Sequence, residues 1–187
     1  AQVIAEKHVE AGGWSYYLDL ENGVERHYRR RIFRRAEIGN DNLLAGLSGQ
    51  EKRRVEEAAE YFAKEQRYLF DDDHRFTPER FSNRLRKIRS VAGPDAQLLV
   101  VVDSLQKLPV SNLKDRRAGI DGWLRAFENA RNRVRCVLLM IAELKRPPDG
   151  KTYKADGMSY KESGDIEYTV DLAMDATKLS AGSDTFK

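Results

Sequence analysis

Two acidic residues that follow apolar runs are the best candidates for chemistry in this sequence. Asp103 ends the run Leu98 to Val102, whose continuous apolar character is typical of a strand buried on both faces. Open α/β sheets bind ligands at the carboxyl ends of their strands, and a carboxylate there suits Mg²⁺. An aspartate at the end of a strand more often merely caps the next helix, so both roles stay open for Asp103.

Glu21 follows a second apolar run, Trp14 to Leu20. A carboxylate at the tip of a neighbouring strand can orient or deprotonate a water molecule that attacks a phosphate. The alternative is a solvent-facing residue near a helix start, which the helix dipole favours. The catalytic interpretation requires Glu21 and Asp103 to meet across adjacent strand ends.

Short apolar runs alternate with amphipathic stretches, which predicts an α/β fold with a mainly parallel sheet and covering helices. The predicted strands are Trp14 to Leu20, Tyr68 to Phe70, Leu98 to Val102, Val137 to Ala142 and a weaker one around Val170 to Met174. Predicted helices cover Ala1 to Val9, about 49–65, the stretch from Pro78 to Gly93, and Ile120 to Phe127. Residues 109–117 and 145–163 are expected to be loops.

Two of these helices carry specific start signals. Ser48 and Glu51 have the spacing of a capping box, and Thr77 with Pro78 combines an N-cap with proline at the first helical position. Arginines cluster at 29–35 and 84–89, and both clusters are interpreted as solvated helix faces.

The composition indicates one folded domain. The chain has 187 residues, 41% of them hydrophobic and 34% charged, with a net charge of +3. Its single cysteine, Cys136, cannot form an internal disulfide, and no apolar run is long enough to span a membrane. The three histidines lack metal-ligand spacing, so no zinc site is expected. These features favour a cytoplasmic protein.

Several segments, in the right order over about residues 1–176, resemble the RecA-type ATPase domain of DnaB-like replicative helicases. Tyr17-Leu-Asp-Leu-Glu21-Asn resembles the strand and turn that carry the water-activating glutamate. Leu98-Leu-Val-Val-Val-Asp103-Ser-Leu-Gln106 resembles the Walker B strand, with a glutamine three residues after its aspartate. The segments Tyr68 to Asp72 and Tyr160 to Asp171 also match.

The resemblance implies a RecA-like P-loop NTPase core of about five or more strands with helices on both faces. It implies ATP and Mg²⁺ as ligands, with Asp103 as catalytic residue and metal ligand and Glu21 as catalytic residue. Gln106 and Glu143 are the implied nucleotide contacts. Glu143 departs from the family, which commonly has a glutamine there, and an ionised glutamate cannot donate a hydrogen bond to phosphate.

The largest departure is that Gly-x-x-x-x-Gly-Lys-Ser/Thr is absent from the sequence. In the resembled family this phosphate-binding loop lies just ahead of the helix that Ala1 to Val9 resembles. We therefore expect residues 1–187 to be a single ATPase domain that lacks its upstream Walker A loop and its downstream hairpin. Such a fragment is expected to be inactive alone.

In the resembled family, two loops near these strands face single-stranded DNA inside a hexameric ring. The basic residues in or beside them are Lys114, Arg116, Arg117, Lys145, Arg146, Lys151, Lys154 and Lys161. They predict a salt-dependent nucleic-acid contact, although solvated loops have the same composition.

The leading hypothesis is thus the motor domain of a DnaB-like helicase that hydrolyses ATP and translocates on single-stranded DNA during replication. One alternative is a RecA- or KaiC-like ATPase in recombination, plasmid maintenance or signalling. Another is a degenerate RecA-fold binding module without catalysis, which the glutamate at position 143 and the missing loop favour.

Overall fold

The strands form one parallel sheet in a computed structural model of the chain. The structure describes residues 1–39, 42, 45–110, 116–143 and 171–174, with the backbone alone at 116 and 117. Within them the strands are β1 (Trp14–Asp19), β2 (Tyr68–Asp71), β3 (Leu98–Asp103) and β4 (Val137–Ile141), in the order β2-β1-β3-β4. Every neighbouring pair is parallel, so the carboxyl ends of these strands share one edge of the sheet.

Five helices are described around this sheet. They are α1 (Gln2–Glu10), α2 (Gly23–Arg35), α3 (Gly49–Lys64), α4 (Pro78–Ala92) and α5 (Arg116–Val134). The four helices predicted from periodicity and capping are confirmed as α1, α3, α4 and α5, and α2 is the additional one. Because α5 already starts at Arg116, the loop predicted over 109–117 is shorter than expected.

The predicted helix starts have the expected hydrogen bonds. The Ser48 hydroxyl accepts from the backbone N–H of Glu51, whose carboxylate accepts from the Ser48 N–H at 2.8 Å. The Thr77 hydroxyl accepts from the Arg80 N–H at 3.3 Å. These bonds satisfy N–H groups that have no partner inside their own helices.

The predicted fifth strand is wrong over residues 171–174, which are not in a strand. Asp171 accepts a hydrogen bond from Arg131 on α5 at 2.8 Å, and the side chains of Leu172 and Met174 are 74% and 70% exposed. An apolar run must be covered on a sheet face to favour a strand, and these side chains are not. Val170 and the predicted loop 145–163 lie outside the described residues.

Alternation along the strands gives the sheet two apolar faces. Tyr16 and Leu18 of β1 belong to a core cluster with α4 and α5 residues, whereas Tyr17 packs in a second cluster with Ala5 and Val9 of α1. The same alternation in β3 places Leu98, Val100 and Val102 in the first cluster, and Leu99 and Val101 in the second. Odd-numbered residues of β1 and β3 therefore face α1.

The interpretation of the first arginine cluster as a solvated face is wrong for Arg31. This side chain is 2% exposed, donates to Glu6 on α1 at 2.9 Å, and stacks 3.4 Å above the Tyr68 ring. In the second cluster, Arg89 donates to the carbonyl oxygens of Val134 and Ala96. These arginines join helices and loops instead of facing a partner.

Substitution of Phe81 tests the larger core. Phe81 is fully buried and its ring meets those of Tyr16, Trp123 and Phe127. We expect Phe81→Ala to lower the free energy of unfolding by about 3 to 5 kcal/mol, because it leaves a cavity. Val91→Ala, on the same helix at a 73% exposed position, should change it by less than about 0.5 kcal/mol. Urea unfolding measures both, and equal losses would contradict this packing.

Candidate active site

The register of β1 and β3 places two aspartates side by side at the carboxyl edge of the sheet. Asp19 is paired with Asp103, and the Leu20 N–H donates to the Asp103 carbonyl oxygen at 2.6 Å. Both aspartates occupy odd positions, so both lie on the face that α1 covers. Two carboxylates at paired positions of neighbouring strands repel each other when both are ionised, so each opposes the ionisation of the other.

Asp103 is held by one phenol and partly buried. The Tyr17 hydroxyl donates to Asp103 Oδ2 at 2.6 Å. Burial raises the pKa of Asp103, nearby Asp19 and Glu21 raise it further, and the Tyr17 hydrogen bond offsets only part of this. A raised pKa means that the ionised carboxylate is destabilised in the free protein, and a nearby cation would relieve this destabilisation.

Glu21 lies beside the residue that follows Asp103. The Ser104 hydroxyl donates to Glu21 Oε2 at 3.2 Å, although Ser104 itself is 2% exposed. The peptide bond between Asp103 and Ser104 is cis. The structure thus brings the two predicted catalytic side chains to the same edge of the sheet, one serine apart, with the Glu21 side chain exposed.

Asp19 is hydrogen-bonded to the backbone of the turn that contains Glu21. Its Oδ1 atom accepts from the backbone N–H groups of Glu21 at 3.0 Å and Asn22 at 2.8 Å, and its Oδ2 faces His27 Nδ1 at 3.1 Å. Burial raises the pKa of Asp19, but the hydrogen bonds from His27, Asn22 and Glu21 outweigh it and leave the pKa below its usual value. Asp19 is therefore the carboxylate that stays ionised.

His27 and Tyr68 complete a buried chain of hydrogen bonds. His27 Nε2 lies 2.9 Å from the Tyr68 hydroxyl, and Asp19, His27 and Tyr68 are 1%, 2% and 4% exposed. Sequence reasoning missed all three. The available signal was that Asp19 and Glu21 are two residues apart, hence on one side of a strand, but nothing in the sequence indicated that β2 would supply Tyr68.

A cavity of about 250 Å³ opens above these side chains. Ala1 and Gln2 of the α1 segment lie at this cavity. Tyr17, Asp103 and His27 reach it from the sheet and from α2. Its lining comprises Ala1, Gln2, Tyr17, Asp19, Asn22, His27, Arg30, Asp103 and Ile141.

Gln106 and Glu143 are brought together at the neighbouring strand ends. Gln106 lies on a 3-10 turn, Leu105–Lys107, directly after β3, and its Oε1 accepts from the Glu143 backbone N–H at 3.0 Å. This bond joins the segment after β3 to the segment after β4. The two residues predicted to contact nucleotide are thus linked, and the contact itself stays a prediction.

The predicted nucleic-acid contacts cannot be compared with this geometry. Lys114, Lys145, Arg146, Lys151, Lys154 and Lys161 lie outside the described residues, and so do the side chains of Arg116 and Arg117. Among the helices that the structure describes, none combines the length and the apolar composition that a transmembrane segment requires.

The donor set suits Mg²⁺ bound together with a phosphate. Within the described ranges, no three histidine, cysteine, aspartate or glutamate side chains converge to hold a metal by themselves. Mg²⁺ typically uses one or two carboxylates, hydroxyls and waters, with phosphate oxygens as the remaining ligands. Asp103 offers a carboxylate oxygen of this kind in the lining of the cavity, so the chemistry of this residue fits the ion.

A parallel sheet with helices on both faces and carboxylates at its carboxyl edge defines an α/β domain of RecA type. The model of the DnaB-like helicase C-terminal domain matches residues 1–179. The chain therefore belongs to the DnaB-like helicase C-terminal domain family.

Two solved structures have the same fold. One, described as an ATPase domain, is 16% identical, with a TM-score of 0.82 over 98% of this chain and 66% of that one. The other, a DnaB-like replicative helicase described with its interactions with primase, is 18% identical, with a TM-score of 0.75 over 89% of this chain and 42% of that one. This chain thus spans less than two thirds of either protein. No curated protein matches it in sequence.

Replacing Asp103 tests its raised pKa. Asn at this position keeps an acceptor for Tyr17 and removes the charge. We expect Asp103→Asn to raise the free energy of unfolding of the nucleotide-free protein by about 1 kcal/mol at neutral pH. A raised folded-state pKa stabilises the wild type only at low pH, and this contribution is lost as the pH rises through that pKa.

The advantage of Asp103→Asn should accordingly disappear in acid and grow as the pH rises. Urea unfolding at several pH values measures it, with Glu60→Gln as the control because the Glu60 side chain is 74% exposed on α3. A difference that is independent of pH would show that Asp103 ionises normally.

Proposed function

We propose that this chain is the ATP-hydrolysing motor domain of a DnaB-like DNA helicase. The single observation that carries the proposal is the meeting of Asp103 and Glu21 at one edge of the sheet, joined through Ser104 beside the start of α1. Membership of the helicase family supports it. The phosphate-binding loop that this chemistry requires is not among these 187 residues, so every activity test uses the whole protein in which they occur.

Asp103 is the proposed ligand of Mg²⁺. The ion, when bound, neutralises charge on the phosphate oxygens of ATP. Asp103 is already oriented by Tyr17, and its unfavourable ionisation in the free protein is relieved by a nearby cation. Ala1 and Gln2 line the same cavity as Asp103.

Glu21 is the proposed general base. Its carboxylate is exposed at the site edge and is held by the Ser104 hydroxyl through one oxygen, which leaves the other oxygen for a water molecule. In that position it orients the attacking water and accepts its proton. The Ser104 hydrogen bond fixes the side chain, and fixed geometry is what a general base requires.

Gln106 and Glu143 are proposed to transmit the state of the nucleotide. Gln106 follows the Asp103 strand, and its hydrogen bond to the Glu143 backbone couples the ends of β3 and β4. A shift at Asp103 on binding of ATP would therefore reach the segment after β4. The bond between the two residues supports this role, and nucleotide contact by either side chain is part of the proposal.

Single-stranded DNA is the proposed substrate of translocation, bound by the basic loops of a hexameric ring. The basic residues in or beside those loops are Lys114, Arg116, Arg117, Lys145, Arg146, Lys151, Lys154 and Lys161. Basic side chains bind the phosphate backbone by charge, which suits a motor that moves without regard to sequence.

Replacement of the two carboxylates tests the proposal. In the whole protein, Glu21→Gln should lower DNA-stimulated ATP turnover by about 10²- to 10⁴-fold, because it removes the base. Asp103→Ala should abolish turnover and weaken the Mg²⁺ dependence of ATP binding. Steady-state phosphate release and binding of a fluorescent ATP analogue measure these effects, with Glu60→Gln on the exposed face of α3 as a control.

Retained turnover in both variants would reject the assignments of Glu21 and Asp103. A strand-displacement assay of the wild-type protein on forked DNA separates the helicase from the two alternative functions. Unwinding identifies a helicase, whereas turnover without unwinding favours a RecA- or KaiC-like ATPase. A wild-type protein that binds partners without hydrolysing ATP would favour a degenerate module.

Charge removal tests the DNA contacts. Replacing Lys145 and Arg146 with Gln should weaken single-stranded DNA binding and reduce the slope of log affinity against log salt by about 1 for each lost phosphate contact. Lys64→Gln provides the control, because Lys64 is 79% exposed on α3 and pairs with Glu60. Fluorescence anisotropy at several salt concentrations measures the slope, and an unchanged slope would contradict the proposed loop contact.

A further inference from the structure

The hydrogen bonds of Asp19 all lead to the segment that carries Glu21. Besides the two backbone N–H groups, Asp19 accepts from Asn22 Nδ2 at 3.3 Å. A carboxylate that is 1% exposed is costly to bury, so its partners indicate what it does. Here those partners are the backbone of the proposed base, the residue after it, and His27.

Asp19 is not needed to cap α2. The backbone N–H of Val24, in the first turn of this helix, donates to Asp72 Oδ2 at 2.9 Å. Asp72 follows β2 and has no hydrogen bond to Glu21 or Asn22 among those described. Asp72 thus contacts the first turn of α2 without contacting the Glu21 backbone, whereas Asp19 contacts the Glu21 backbone as well as the N-cap residue Asn22 and His27. Substitution of Asp72 therefore alters the helix start alone.

His27 and Tyr68 fix the orientation of the Asp19 carboxylate. An ionised carboxylate only accepts, so His27 Nδ1 donates to Asp19, while His27 Nε2 lies within hydrogen-bond distance of the Tyr68 hydroxyl, at 2.9 Å. The Phe70 and Tyr17 rings lie 4.4 and 4.6 Å from the His27 ring and enclose it. With its Oδ2 fixed, Asp19 can present Oδ1 to the Glu21 backbone in one geometry.

We infer that Asp19, held by His27 and Tyr68, is the residue that positions Glu21 for water activation. The inference rests on the proposed function, since it assigns Asp19 to the same site as a positioning residue that contacts no substrate. Ser104 fixes the end of the Glu21 side chain, and Asp19 fixes its backbone. A base held at both ends loses little entropy on reaching the attacking water.

Asp19→Ala in the whole protein tests this inference. We expect kcat for ATP hydrolysis to fall by about 10²-fold, because a displacement of about 1 Å at a catalytic group costs a factor of this size. kcat is measured at saturating Mg·ATP, because loss of the Asp19 charge beside Asp103 also changes the affinity for Mg·ATP.

Asp19→Asn is the conservative variant and should restore most of kcat. Its amide oxygen still accepts from the Glu21 and Asn22 N–H groups, and its NH₂ can donate to His27 Nδ1 once the imidazole proton moves to Nε2. An Asp19→Asn protein as slow as Asp19→Ala would overturn positioning by these hydrogen bonds, because it would show that the charge itself is required.

Asp72→Ala is the matched control. It removes a carboxylate hydrogen bond from the same turn-to-helix junction without touching the Glu21 backbone. We expect a lower melting temperature with kcat and Kd of the folded protein within about twofold of the wild type. Equal losses of kcat in Asp72→Ala and Asp19→Ala would reduce Asp19 to a structural residue and overturn the inference.

Tyr68→Phe decides the question if Asp19→Ala does not fold. It removes only the hydroxyl that fixes His27 and keeps the ring that stacks on Arg31. We expect a severalfold lower kcat with unchanged Kd, and an unchanged kcat would overturn the inference. An active Glu21→Gln protein would reject the proposed function, whereas an inactive Glu21→Gln beside a fully active Asp19→Ala rejects this inference alone.

Discussion

The in-register pairing of β1 with β3 is the constraint on which the site depends. This pairing sets Asp19 beside Asp103 and brings Glu21 to Ser104. A shift of β1 by one residue would turn Asp19 to the face of the sheet opposite Asp103, since side chains alternate along a strand. The continuous apolar contacts of both faces hold the register, so the core on each side of the sheet also maintains the geometry of its polar edge.

The two aspartates at the carboxyl edge of the sheet have different pKa values because their surroundings differ. Asp19 receives four hydrogen-bond donors and keeps its charge, while burial beside Asp19 and Glu21 raises the pKa of Asp103. Neighbouring carboxylates with different pKa values have different uses. One carboxylate stabilises the protein's own backbone, and the other is prepared for a cation. The candidate site therefore combines a carboxylate fixed by four donors with a second carboxylate whose ionisation is opposed, and the second is the one proposed to bind a cation.

One charged residue that the sequence suggests is solvent-exposed is buried and connects the helices around this site. Arg31 lies between aromatic rings and is paired with Glu6, which ties α2 to α1 and thus to the helix that begins at the cavity. An arginine in a run of arginines has no sequence signal for burial. Its planar guanidinium can stack and pair at once, which explains why a buried position accepts it.

The sequence by itself determined the four described strands, four of the five described helices, and Asp103 and Glu21 as candidate site residues. Apolar runs predicted β1 to β4, capping residues predicted the starts of α3 and α4, and Asp103 and Glu21 were identifiable because strand ends in a parallel sheet share an edge. These signals are local. The tertiary structure alone decided that Asp19, His27 and Tyr68 form one buried chain, that Arg31 is buried, and that residues 171–174 are not a strand. Those outcomes depend on which residues of distant elements meet, and no local pattern specifies such partners.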